Sequence, residues 1–266
     1  MNRPRLIALD LDGTLLDREH AVSPRATAAI EALHGSGSEV ILLTGRPPRM
    51  TWDYVRALGL EHAIVYNGAS RYDLSRHACE HHHQLTRDAA CEVMARLRAA
   101  HEGIGLGMET HHGWYLDPTL EERRKAAPRQ LSSTRPDGVG PLEDFVEDAV
   151  IKVFARHPVL DAPGMASALE GLDVYVTWSG AGLLEVMHPT VNKREALERF
   201  AALRGVARAD VAAMGDQHND REVLAWVGHG VAMGNATEAV QAAADEVTLA
   251  HDEDGVAVVL ERWLAP

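Results

Sequence analysis

The sequence predicts an α/β protein, a doubly wound parallel sheet interrupted by an α+β insertion. Short apolar runs alternate with segments of helical spacing near both ends of the 266 residues. Most of these runs stop at a polar or glycine-containing cluster. Between the two ends, closely spaced prolines and short alternating runs replace that pattern.

The elements follow in order. Arg5-Leu-Ile-Ala-Leu-Asp10 is an apolar run ending in a carboxylate, as expected of a strand buried on both faces. Ser23-Pro24 supplies an N-cap and a first-turn proline. Ala26, Ala29, Ile30 and Leu33 then keep helical spacing until Gly35 and Gly37. A second strand, Val40–Leu43, ends at Thr44-Gly45-Arg46, and a helix runs from there to about Leu58. A third strand, Ala63–Tyr66, ends at Asn67-Gly68. The alternation resumes with a helix over Lys193–Leu203, a strand at Val211–Met214 ending in Gly215-Asp216, and a helix from about Asp220 to Trp226. Strands at Gly230–Met233 and Glu246–Leu249 flank a helix ending near Ala244, and Asp254-Gly255 opens a closing helix. In the middle, Thr86 caps a helix to about Ala100. Runs follow at Ile104–Met108, Trp114–Leu116, Val150–Phe154, Val174–Trp178 and Leu183–Met187, broken by Pro128, Pro136, Pro141, Pro158 and Pro163. The expected organisation is a Rossmann-like core over 1–84 and 189–266, with an α+β cap over 85–188.

Hydrophobic residues make up 46% and charged residues 24%, ordinary values for a soluble globular protein. A net charge of −13 argues against a nucleic-acid partner, which needs a basic face. No apolar run approaches the ~20 residues of a membrane helix, and the first residues lack the pattern of a secretory signal. Two cysteines, Cys79 and Cys91, cannot form a disulfide framework, so a reducing cytoplasm is expected. A monomer or homodimer is the expected assembly.

The chemistry-bearing residues fall at strand ends, where doubly wound sheets bind ligands. Asp10 and Asp12 follow the first strand, Thr44 the second and Asp216 the strand Val211–Met214, while Lys193 begins the helix that returns from the insertion. Three carboxylates on one rim repel unless a divalent cation joins them, and Mg2+ favours such hard oxygen ligands. Lys193 and the Thr44 hydroxyl can hold phosphate oxygens, and Gly13 and Gly45 allow close backbone approach. Asp10 is placed to attack phosphorus; Asp12 can protonate the leaving oxygen and then deprotonate water.

Asp10-Leu-Asp-Gly-Thr-Leu15, Thr44-Gly-Arg46, Lys193 and Gly215-Asp-Gln-His-Asn-Asp220 resemble, in order, the four motifs of the haloacid dehalogenase superfamily of phosphohydrolases. Asn67-Gly-Ala69, Met233-Gly-Asn-Ala236 and Asp252–Ala257 resemble its Cof-like branch, which carries a large α/β cap between the second and third motifs. The resemblance implies Asp10 as nucleophile and Asp12 as general acid/base. It implies Asp10, the Asp12 backbone carbonyl and Asp216 as Mg2+ ligands, and Asp220 as support for them. Thr44, Gly45, Lys193 and Asn219 would contact the phosphate of a small-molecule ester. Arg194 departs from the branch, which often has glycine there.

Other readings use the same residues. A phosphomutase or phosphotransferase would pass the aspartyl phosphate to a hydroxyl. A signalling module would simply keep it, though such modules are about half this length. Arg46 reads as a capping or pairing residue. His77 and His81–His83 read as a solvated strand or loop, because adjacent strand residues face opposite ways and cannot all share one ion. His111 and His112 could touch substrate, Trp114, Tyr115 and Trp178 read as cap core, and the cysteines read as structural thiols.

Overall fold

The computed structural model describes residues 3–76, 78–81, 83–126, 135–146, 149–179 and 182–265. They fall into two compact units, Met1–His82 with Val191–Pro266, and His83–Thr190. Pro128, His77 and His82 lie outside the described residues.

The first unit begins with β1 (Leu6–Leu9), every residue of it buried. Helix α1 (Pro24–Gly35) starts where the Ser23 hydroxyl accepts from the Ala26 amide at 3.0 Å, and it buries the four apolar residues its spacing selects. Next come β2 (Glu39–Leu43), α2 (Trp52–Ala57) and β3 (His62–Val65). The chain then reverses through Tyr66 and Asn67, both at positive φ, and Gly68 at φ +107. A Cβ on Gly68 would sit 2.6 Å from the Asn192 carbonyl oxygen, so only glycine lets the two segments approach this closely. The reversal leads into β4 (Ser70–Asp73) and β5 (Ala78–His81), an antiparallel pair added to the edge of β3. A purely parallel core was expected. The polar, aromatic sequence of β4 lacks the apolar run that marks a strand buried on both faces.

The second unit opens with β6 (Leu85–Thr86) and α3 (Arg87–Ala100), capped by the Thr86 hydroxyl. The elements β7 (Gly105–Glu109), β8 (Trp114–Leu116), α4 (Pro118–Ala126), β9 (Gly138–Val139) and β10 (Ala149–Val150) follow. After them come β11 (Lys152–Arg156), α5 (Ala162–Ala166), β12 (Tyr175–Ser179) and β13 (Leu183–Met187). Six strands make a sheet in the order β12-β13-β11-β7-β8-β9, antiparallel apart from β8–β9, while β6 pairs with β10. Strand alternation sends Leu106, Met108, Val153, Ala155, Leu184 and Val186 into one core with Ala90, Val93, Met94 and Leu97 of α3. Their strand neighbours Lys152 and Glu185 therefore point to the other face, where Lys152 Nζ donates to Glu185 Oε1 at 2.6 Å and both are buried. Helix α4 was not expected. Its charged sequence hides the apolar stripe, but Asp117 caps it, accepting from the Leu120 amide at 2.7 Å.

The chain returns through α6 (Lys193–Leu203), β14 (Val211–Gly215), α7 (Arg221–Trp226), β15 (His229–Ala232), α8 (Glu238–Gln241), β16 (Glu246–Val247) and α9 (Gly255–Leu264). The eight strands of the first unit run β16-β15-β14-β1-β2-β3-β4-β5, the first six mutually parallel. Leu6, Ala8, Ile41, Leu43 and Ile64 face α6 and α7. Helices α1 and α9 pack on each other, with α1 also against β2. The chain leaves β1 toward β2 and returns on its other side at β14, so the switch in strand order falls at β1, the position at which doubly wound sheets bind ligands. Among the described residues no helix is long and apolar enough to cross a membrane.

Breaking a buried ion pair leaves a desolvated charge behind. Lys152→Met is therefore expected to cost ~3–5 kcal/mol, read as a lowered urea midpoint. Arg96→Met, at an exposed i,i+4 pair with Glu92, should cost under ~1 kcal/mol.

Candidate active site

Lysine at the first turn of a helix is unfavourable, because the helix dipole already places positive charge there. Lys193 opens α6 in that position, and its side chain is fully buried. Its ammonium is held by two carboxylates, one at the end of β1 and one in the loop after β14. It donates to Asp10 Oδ1 at 2.9 Å and to Asp220 Oδ1 at 2.6 Å. Burial pulls the lysine pKa down, but the two carboxylates outweigh it and hold the group above the ordinary lysine range. For Asp10 the balance goes the other way: burial pushes its carboxyl well up, with only partial relief from Lys193.

Asp216 follows β14 and is buried against Asp10 and Asp220; one oxygen from each of the three lies within 4.8 Å of the others. Asp216 Oδ1 accepts from the Thr14 hydroxyl at 2.9 Å, and Oδ2 accepts from the Gln217 amide at 2.6 Å and from Asn235 Nδ2 at 3.3 Å. Burial and the neighbouring Asp220 push its carboxyl up to about 6. Asp220 has both oxygens engaged, Oδ1 by Lys193 and Oδ2 by the backbone amides of Asp216 and Gln217 at 3.1 and 3.0 Å. It thus shapes the loop after β14 and fixes the ammonium. Gly13 passes so close that a Cβ would lie 2.3 Å from Asp216 Oδ2, and its φ of +73 also favours glycine.

The other predicted residues take different partners. The Asp12 side chain is half exposed and paired with Arg46, whose Nε and Nη2 reach its two oxygens at 2.7 and 2.5 Å. Thr44 is buried, and its hydroxyl accepts from the Arg46 amide at 3.1 Å. Asn219 donates to Asn67 Oδ1 at 2.8 Å, while its own buried Oδ1 has no hydrogen-bond partner among the described residues. Gly45 packs against the Asn67 amide, which a Cβ would meet at 3.0 Å. The structure therefore joins Asp10, Lys193, Asp216 and Asp220 directly, with Asp12 and Thr44 on Arg46 and Asn219 on Asn67.

The model of the haloacid dehalogenase-like hydrolases matches residues 7–260. The chain belongs to that family. A 5-amino-6-(5-phospho-D-ribitylamino)uracil phosphatase of Bacillus subtilis is 29% identical, the alignment covering 99% of this chain and 98% of that protein. An HMP-PP phosphatase of Serratia proteamaculans is also 29% identical, over 98% of this chain and 95% of its own. A solved haloacid dehalogenase-like hydrolase from B. subtilis superposes with a TM-score of 0.85 at 26% identity, covering 97% of this chain and 99% of the other.

Within this haloacid dehalogenase-like frame, Thr14, Gln217, Asn235 and Asn67 went unassigned in the sequence. All four sit inside the motifs, yet only the fold shows that Thr14, Gln217 and Asn235 converge on one carboxylate. Among the described residues, Asp10, Asp216 and Asp220 form the one group of three or more His, Cys, Asp or Glu side chains close enough to share an ion. No histidine joins it. The donor set fits a hard divalent cation: all-oxygen, buried, and three carboxylates against one ammonium.

A carboxyl raised from 3.8 to about 6 keeps its proton in the folded chain where the unfolded chain has lost it. The folded state then binds more protons between about pH 4 and 6, so stability falls as pH rises through that window and levels off above it. The loss is about 3 kcal/mol, at ~1.4 kcal/mol per pH unit. In metal-free protein, Asp216→Asn should therefore be more stable than the parent at pH 7.5. The difference should shrink toward pH 4, as followed by thermal melts across that range.

Proposed function

We propose that the protein is a magnesium-dependent phosphatase that hydrolyses a phosphate monoester of a small metabolite through a phosphorylated Asp10. The observation that carries this reading is the fully buried Lys193 ammonium, shared by Asp10 and Asp220 beside the Asp216 carboxylate. A buried cation within reach of a nucleophile and an acidic pair matches the charge pattern of a phosphoryl group crossing between oxygens.

Asp10 binds Lys193 through Oδ1, which leaves Oδ2 to attack phosphorus. The bond from phosphorus to the ester oxygen breaks, and Asp12 gives that oxygen a proton. In the second half, water attacks the phosphorus of the aspartyl phosphate and Asp12 takes a proton from it. The Asp10–phosphorus bond then breaks, releasing inorganic phosphate and restoring both carboxyl groups. Lys193 stays beside Asp10 throughout, where it can offset the charge that gathers on the phosphoryl oxygens. The Thr44 hydroxyl, the Gly45 backbone and the Asn219 amide are assigned to phosphate binding. Asp10, Asp216 and the Asp12 carbonyl would hold Mg2+, with Asp220 as their support. When bound, the ion supplies positive charge that keeps the two carboxylates ionised and polarises the phosphoryl oxygens.

The unit His83–Thr190 is assigned to leaving-group selection, since the catalytic set lies wholly in the other unit. The relatives named above are phosphatases of phosphorylated metabolites, which supports the same substrate class here.

Phosphate release from p-nitrophenyl phosphate and from a panel of phosphorylated metabolites tests the reading. Activity should vanish in EDTA and return with Mg2+, and Asp10→Asn should lose at least ~10³-fold in kcat while remaining folded. Undiminished turnover in EDTA, or by Asp10→Asn, overturns it.

A further inference from the structure

Arg46 lies outside the roles assigned above, yet it makes the closest contacts of any residue to Asp12. Its guanidinium grips the carboxylate in a two-pronged pair, Nε to Oδ2 at 2.7 Å and Nη2 to Oδ1 at 2.5 Å. The two partners are unequal. The Arg46 side chain is 12% exposed and the Asp12 side chain 48%. Arg46 is also fastened from several directions. Its backbone amide donates to the Thr44 hydroxyl, and Nη1 reaches the Met50 carbonyl at 3.4 Å. The Tyr54 ring lies beneath the guanidinium, 5.5 Å from its carbon, in cation–π range. The Tyr54 hydroxyl is itself tied to the His20 carbonyl at 2.9 Å, and His20 Nδ1 lies 3.4 Å from Nη2. A carboxylate on a loop after β1 thus meets a cation that is already immobilised.

We infer that Arg46 is a positioning residue for Asp12: held by Tyr54 and Thr44, it fixes where the carboxyl group sits so that proton transfer to the leaving ester oxygen, and later from the attacking water, needs no search. A planar guanidinium sets both distance and plane, which an ammonium cannot do. This inference rests on the phosphatase reading, with Asp12 as the proton-transferring group.

Such a residue acts only where Asp12 acts. A nitrophenolate departs without needing a proton, whereas an alkoxide does not. The test compares kcat/KM for p-nitrophenyl phosphate and for glycerol phosphate in the parent, Arg46→Ala, Arg46→Lys, Asp12→Asn and the double variant Asp12→Asn with Arg46→Ala. Thermal melts verify folding, and Mg2+ titration reports the metal site. Arg46→Ala is expected to lower the glycerol phosphate rate by ~10–10²-fold and the nitrophenyl rate by under ~3-fold, with the Mg2+ midpoint unchanged. Arg46→Lys should recover only part of the loss, and the double variant should be no slower than Asp12→Asn alone. Equal losses on both substrates, or a double variant slower by the product of the single effects, would show Arg46 acting on substrate itself and overturn the inference. A folded Arg46→Ala at parental rates on both substrates overturns it as well. If the parent hydrolyses neither ester, or Asp12→Asn matches the parent on both, the phosphatase reading fails instead.

Discussion

The rest of the first unit is arranged around one buried ammonium. Taking a lysine out of water costs several kcal/mol unless its charge is met, and here it also sits at the unfavourable end of a helix. Asp10 and Asp220 meet it, one from the end of β1 and the other from the loop after β14. The contact ties α6 to the two central strands and requires α6 to begin at the rim of the sheet. Two local devices permit this. Asn192 caps α6 by accepting from the Glu195 amide at 2.7 Å. Gly68 leaves the turn after β3 without a Cβ, so the carbonyl of that cap can press against it.

The two aspartates after β1 live in contrasting surroundings, although only Leu11 separates them. Asp10 is buried beside other carboxylates, and burial pushes its proton affinity up. Asp12 is half exposed and held by a guanidinium. One strand end thereby presents two carboxyl groups in different electrostatic settings, as the proposed division between a nucleophile and a proton carrier requires. A third carboxylate, Asp216, is surrounded by donors from Thr14, Gln217 and Asn235, which hold its plane fixed. A fourth, Asp220, is wholly occupied by Lys193 and two backbone amides.

Much of this could be read in the chain itself. Apolar runs of four or five residues placed the parallel strands, because strands buried on both faces carry an unmistakable pattern. Caps at Ser23 and Thr86 are local chemistry and appear as local sequence, whereas the Asn192 cap emerged only in the structure. Short, polar or charged elements were not legible. Strand β4 reads Ser-Arg-Tyr-Asp and α4 carries five charged side chains in nine residues, so neither shows a strong period. Both are held by their neighbours: β4 by the ladder to β3, α4 by Leu120 packed over Gly105. Within the site, the residues that carry charge stood out. Those that aim them, namely Thr14, Gln217, Asn235 and Tyr54, did not, since a hydroxyl or amide gains its meaning only from what lies three ångströms away in space. Arg46 was recognisable as a pairing residue, but its partner, thirty-four positions away, was not.

The insertion joins the first unit by two crossings of the chain. The residues at these crossings lie side by side in the second unit: the His83 ring stacks on His188 with centroids 5.4 Å apart. A module that enters and leaves through neighbouring points imposes no span on its host. Its interior can be rebuilt, lengthened or exchanged for a homologous module while Asp10, Lys193 and Asp216 keep their mutual distances. Changes within the insertion and preservation of the carboxylate–lysine cluster can then proceed on separate stretches of one gene, each with little penalty to the other.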